Sequence, residues 1–282
     1  MGYKSLKCKL LFYLSRIVPD KDFKMLYKQY LKYCDAVPEM SKEIRKCIFG
    51  NYKFRRQHRG EFKIISLGWS CLPRTLLTLW MLKPSKGVGE KGMPFDLIAS
   101  PPAAITHFLK TDFADYFEGN WVYKTTNGHA CWHNEAWENM LFPHEIGLSD
   151  SEEDLTKLKS RVAKRIENFR EAVTFDGPVL FVLHKATWWE GIPLDHKAED
   201  IECLAREISR LRGNKPFKIL AFSFDHDDAC EKLAGCTLVR QPYPHAKYIW
   251  HEAERFTSSG LKFEMQFMET CRRALSDLLN RK

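Results

Sequence analysis

Two periods of apolar residues run along this chain. Phe62–Leu67, Val179–Leu183 and Phe217–Phe224 are short apolar-rich runs of the kind that form strands buried on both faces. Cys236–Arg240 predicts a fourth. Between them, apolar residues recur every three or four positions, which predicts helices over Leu72–Leu82, Pro101–Leu109, Ala198–Leu211 and Phe263–Leu279. Pro73, Pro101 and Pro102 stand where a first helical turn tolerates proline. The clearest helix begins at Ser151, a capping residue followed by Glu152, Glu153 and Asp154. Leu155, Leu158, Val162, Ile166, Phe169 and Val173 form its apolar stripe, and Asp176-Gly177-Pro178 stops it. Pro84–Gly92 reads as a loop and Met93–Ile98 as a short ordered piece, while the aromatic-rich stretch 112–148 shows no period and predicts no element. Strands separated by helices predict an α/β fold: a mostly parallel central sheet with helices on both faces, Phe62–Leu67 being a central strand.

Composition fits that picture. The chain has 282 residues, 44% of them hydrophobic and 28% charged, the balance of a soluble globular protein. No apolar run approaches the roughly 20 residues that span a bilayer. Lys4, Lys7, Lys9 and Arg16 interrupt the first apolar positions, and no small-residue cleavage site follows, so a signal peptide is not expected. The nine cysteines are scattered without a C-x-x-C, which reads as reduced thiols in a cytoplasm.

Charge changes the domain picture. Residues 1–60 hold 15 Lys and Arg against 5 Asp and Glu, and the remainder holds 29 against 31. The expected organisation is therefore a basic helical extension, 1–60, and a single α/β domain, 61–282. Leu6, Leu10, Leu11, Leu14 and Ile17 fall at helical spacing among cations. That pattern suits a helix packed on the body, or one lying peripherally on an anionic membrane at the inner face. No RNP-type motif, zinc finger or recognition helix is present, so nucleic acid is not an expected partner. No Walker sequence or G-x-G-x-x-G is present, so no nucleotide cofactor is expected.

The stretch with the most chemistry is Ser66-Leu67-Gly68-Trp69-Ser70-Cys71-Leu72-Pro73-Arg74. Gly68 permits a sharp turn, and Cys71 then precedes a helix. Its thiol would meet unpaired backbone N–H groups and the positive end of the helix dipole, a setting that favours thiolate. Sites in such sheets form at the carboxyl ends of the strands. After the three clear strands come Cys71, then His184, then Asp225 and His226: a nucleophile, a base and an acid. His129, Cys131, His133 and Glu135 place metal-ligand types close together, but their spacing fits no closed zinc site and no metal is expected. His245 and His251, among Tyr243, Tyr248 and Trp250, read as a sugar pocket or a packed aromatic surface.

Several of these blocks together resemble a known family. Ser66-Leu67-Gly68-x-x-Cys71, Pro94-Phe95-Asp96, Asp112-Phe113, Phe142-Pro143-His144-Glu145 and Arg165-Ile166-Glu167-Asn168-Phe169 run into a strand at Val179. The pattern is similar to that of an uncharacterised, mostly bacterial family described as papain-like cysteine peptidases. Leu97 and Asn168 depart from it, standing where the family has Trp and Arg. The resemblance covers roughly residues 62–184 and implies a Cys71–His144 pair with Asp96 as third member. His184 is the rival base. Arg165, seven residues after Leu158 on the inward stripe, needs an acidic or phosphate partner, and Asp96 is one available.

Two functions follow. The first is a cysteine-dependent hydrolase or acyl transferase acting on a peptide or glycan. The second is a glycan-related transferase or binding protein of surface polysaccharide assembly. There the Gly68–Cys71 turn and Arg165 would hold an anionic group without covalent thiol chemistry.

Overall fold

The computed structural model describes residues 21–68, 70–126, 129–136, 140–145, 147–184, 198–222, 235–245, 248–250 and 253–280. These residues hold seven helices: α1 (Lys21–Ala36), α2 (Ser41–Gln57), α3 (Leu72–Leu79), α4 (Pro102–Lys110), α5 (Glu152–Val173), α6 (Ala198–Arg212) and α7 (Ser258–Leu279). The strands are β1 (Lys63–Ser66), β2 (Trp121–Thr126), β3 (His129–Asn134), β4 (Met140–Leu141), β5 (Val179–His184), β6 (Phe217–Phe222) and β7 (Cys236–Val239). The fold is α/β, as the alternation predicts.

The chain divides into two compact units. One comprises the described residues up to Arg59 together with Thr75–Glu90 and Tyr243–Arg273, and the other holds Gly60–Arg74, Lys91–Pro242 and the chain from Ala274. This differs from the expected split at residue 60. The reason is burial: α1 and α2 carry Leu26, Tyr33, Ile44 and Ile48, all fully buried, and helices with such faces require a partner. Later residues supply it. Tyr33 stacks on Trp80 with ring centroids 4.8 Å apart, and Asn51 Nδ2 donates to the Trp80 carbonyl at 3.0 Å. The Leu6–Ile17 stripe lies outside the described residues.

In the second unit the four parallel strands run in the order β1-β5-β6-β7. Lys63 pairs with Val179 and Ser66 with Val182, and His184 pairs with Phe222. One face, carrying Ile65, Phe181, Leu183, Ile219 and Leu238, packs in a single core with apolar residues of α4, α5 and α6. Ile64, Ser66, Leu180, Val182, His184 and Leu220 alternate onto the opposite face and are equally buried. Among the described residues β1 is an edge strand, paired only with β5, and not the central strand expected. Burial of both faces of a strand reports what packs above and below it, not how many strands flank it.

Local signals explain the helices. Ser151 Oγ accepts from Asp154 N at 3.2 Å, capping α5 as predicted. At the other end of α5, Arg212, 1% exposed, donates to the carbonyls of Val173 (2.7 Å) and Phe175 (2.6 Å). It also donates to Gly177 (2.8 Å) and Pro216 (3.0 Å). A cation there satisfies terminal carbonyls and suits the negative end of the dipole. Residues 112–148, aperiodic as a sequence, contain the antiparallel sheet β2-β3-β4. Its Trp121, Tyr123, Trp132 and Met140 face the core.

Candidate functional site

Gly68 ends β1 with φ 77°, the left-handed region. A Cβ there would lie 3.3 Å from both the Cβ and the carbonyl O of Phe95, and 3.7 Å from Ser100 Cβ. Glycine is thus required twice, for the backbone and for the close approach of the 95–100 segment. Gly60, also left-handed at φ 80°, has nothing within 4 Å of such a Cβ. Alanine at Gly60 is therefore expected to cost only the left-handed term, about 1–2 kcal/mol. Gly68→Ala should cost measurably more in denaturant unfolding, and equal losses would show that Phe95 and Ser100 yield freely.

Cys71, 5% exposed, immediately precedes α3, as expected. Three residues on, Arg74 Nε lies 3.5 Å from Asp96 Oδ2, with both side chains about as buried as Cys71. The same Oδ2 accepts from Met93 N at 2.9 Å. Asp96 thus closes the Met93–Asp96 turn and holds an arginine in the first turn of α3. Asp96 therefore pairs with Arg74 and not with Arg165, the cation expected from the inward stripe of α5. Arg165 Nη2 instead meets Glu145 Oε1 at 2.5 Å, and Arg161 Nη1 meets Glu145 Oε2 at 3.2 Å. Glu145 is nearer along the chain to the face of α5 that carries both arginines.

That clamp fixes the His144 loop, since Glu145 is His144's neighbour. On its other side Phe142 is buried against Trp121, with centroids 5.3 Å apart. Leu141 and Ala99 exchange backbone hydrogen bonds at 3.1 Å. Gly68 against Phe95 and Ser100, and Ala99 against Leu141, tie the Cys71 turn, the 95–100 segment and the His144 loop into one chain of contacts. His144 itself is half-buried.

Other motif residues are architecture. Phe95, Phe113 and Phe169 form an aromatic triangle with centroids 5.6 to 5.9 Å apart. Asp112 and Phe113 adopt left-handed φ of 49° and 62°, held by Arg170 Nε on Asp112 Oδ1 at 3.0 Å. Asn168 Nδ2 donates to the Gly92 carbonyl at 2.9 Å.

His184 closes β5, fully buried, its ring 6.4 Å from Phe222 and nearly parallel to it. Ser66 pairs with Val182, and His184 is two residues further, so Ser66 and His184 share one face and one end of the sheet. Asp225, with His226, lies outside the described residues, as does His251. Tyr248 and Trp250 are core residues, not a pocket wall, and Tyr248 Oη donates to Glu264 Oε1 at 2.9 Å.

Three buried hydroxyls were given no role by the sequence, although Ser66 and Ser70 lie in the stretch around Cys71. Ser66, Ser70 and Ser100 are all 0% exposed. Among the described residues the Oγ of each has no hydrogen-bond partner. A buried hydroxyl left so costs about 1–3 kcal/mol. All three flank the Gly68–Cys71 turn: Ser66 precedes it, Ser70 lies in it, and Ser100 packs on Gly68.

The described side chains of the His129–Glu135 cluster do not gather at one point. Cys131 and His133 share one face of β3, with Sγ 3.4 Å from Nε2, while Asn134 turns away to donate to the Glu118 carbonyl at 2.8 Å. Glu135 accepts from Asn120 at 2.8 Å. Among the described residues no three His, Cys, Asp or Glu side chains group as metal ligands.

Compared with known proteins, the chain matches no family model, no curated protein and no solved structure.

Proposed function

We propose that this chain is a cysteine-dependent hydrolase or acyl transferase of the papain-like family it resembles, with Cys71 as nucleophile. The observation that carries the reading is the group of buried hydroxyls without partners around a cysteine at a helix N-terminus. Helix N–H groups and hydroxyls are the donors that stabilise an oxyanion when a thiolate attacks a carbonyl. In this reading a histidine takes the thiol proton and returns it to the leaving group. His144, on the loop clamped by Glu145, is the base, and His184 is its rival. Asp96 shapes the site through Arg74. Water as acceptor gives hydrolysis of a peptide or amide, and a hydroxyl or amine gives transfer.

The same hydroxyls also support a second reading, a glycan-related transferase or binder that holds an anionic group without covalent chemistry. An electrophilic acyl probe separates the two. The first reading expects a covalent adduct at Cys71 that vanishes in Cys71→Ala. The second expects none, with sulfate or a glycan protecting the native protein in both forms.

We further infer a peripheral place on the inner face of a membrane. Lys21, Lys24, Lys28 and Lys32 form one exposed stripe of α1, and Lys42, Arg45, Lys46, Lys53 and Arg56 form one of α2. No helix among the described residues is long and apolar enough to cross a bilayer. Each cation near an anionic surface is worth about 1 kcal/mol. The protein should co-sediment with anionic vesicles, lose them at high salt and ignore neutral ones. Equal recovery on both would remove this inference.

A further inference from the structure

Tyr116 follows α4 and is fully buried. Its ring packs among Phe108, Phe113 and Phe117, with centroids 4.5 to 5.8 Å away. Its hydroxyl has no such company: among the described residues Oη has no hydrogen-bond partner. Burial raises the phenol's pKa, so it stays protonated and able to donate. The charges that act on it are Arg165 and Glu145, the pair that clamps the His144 loop. An enclosed donor without an acceptor is costly, and a bound acceptor would recover that cost.

The charges at this corner do not balance. Arg161 and Arg165, one turn apart on α5, share the single carboxylate of Glu145. Other acids close by along the chain are engaged elsewhere. Asp112 and Glu167 meet Arg170, and Asp115 is held by His107 and Thr111. Two guanidiniums against one carboxylate leave one positive charge, and each keeps N–H groups that Glu145 does not use. A water would satisfy the phenol and leave that charge in place.

Exposure falls toward the phenol. The side chains are 48% exposed at Arg161, 14% at Arg165 and 8% at Glu145, and Tyr116 is at 0%. An anion arriving past Arg161 meets guanidinium donors first, and its inner oxygen is the acceptor that Tyr116 lacks. The planar guanidinium fork suits the paired oxygens of a carboxylate or phosphate. Glu145 adjoins His144 in the chain, so the anion would lie beside the loop that carries the base.

We propose that Tyr116, Arg161 and Arg165 form a subsite for an oxyanion, a carboxylate or phosphate group carried by the substrate. The substrate's part in this rests on the Cys71 reading; the binding of an oxyanion does not.

Calorimetry of the native chain with inorganic phosphate tests the site without any turnover. Saturable binding is expected, weakened roughly ten-fold or more in Tyr116→Phe and in Arg161→Gln, and retained in Cys71→Ala. Tyr116→Phe removes a hydroxyl that bonds nothing, so without phosphate its denaturant midpoint should equal or exceed the native one. No saturable binding, or binding that Tyr116→Phe leaves unchanged, overturns the site. A lowered midpoint without phosphate overturns it too, since the hydroxyl would then already be served within the fold. Two acyl esters alike except for a free carboxylate place the anion. Cys71 should be acylated roughly ten-fold faster by the carboxylate ester, a preference lost in Tyr116→Phe. Equal rates overturn the substrate's part. Phosphate binding with no acylation of Cys71 by either ester upholds the site and removes the cysteine reading instead.

Discussion

Glu264→Ala is expected to lower stability by about 3–5 kcal/mol, because it strands a buried cation. Glu264 is fully buried and accepts from Trp80 Nε1 at 2.6 Å and Tyr248 Oη at 2.9 Å. Arg255 Nε donates to it at 2.9 Å and Arg255 Nη2 at 2.5 Å. Arg255 Nη2 also reaches Tyr33 Oη at 2.9 Å. Deleting the carboxylate leaves Arg255, 4% exposed, without its counter-charge, and an indole and a phenol without their acceptor. A domain holds only about 5–15 kcal/mol in total, so the variant should sit near the limit of folding. Glu264→Gln keeps the shape and should fall between. Denaturant midpoints measure both, and a loss under about 1 kcal/mol for alanine would mean the network is not what holds this unit.

Asp96→Ala should be similarly costly, about 3 kcal/mol or more, for the same reason at a different place. It removes the acceptor of Met93 N and the counter-charge of Arg74. Replacing both members with apolar residues, Arg74→Met with Asp96→Leu, should recover much of the loss, as buried ion pairs often tolerate joint replacement. The double-mutant cycle decides the role of Asp96. A large coupling with Arg74 makes it a positioning residue. No coupling, together with loss of Cys71 reactivity in Asp96→Ala alone, would make it the third member of a catalytic triad.

How much was legible from residues alone depended on range. Ser151 and the Leu155–Val173 stripe carry α5 within one stretch, and the structure returns them nearly residue for residue. The apolar runs at Val179 and Phe217 likewise mark β5 and β6. The β2-β3-β4 sheet was hidden because its core-facing residues are aromatic and alternate with residues such as Lys124 and His133, so neither apolar runs nor helical spacing appears. The partners of Asp96 and Arg165 were illegible because an ion pair between distant segments leaves no periodic trace. The buried serines left none either, since serine is mostly exposed. Cys131 and His133 had a signal, spacing of two, that acquires meaning only once β3 is known to be a strand.

That Cys71 is a nucleophile with a histidine base is tested most directly by iodoacetamide labelling of the native chain, mapped cysteine by cysteine. Cys71 should react ahead of half-exposed Cys203 and slow by roughly ten-fold or more when its base, His144 or His184, is replaced. Labelling of Cys71 only together with fully buried Cys271, when the chain unfolds, would contradict it.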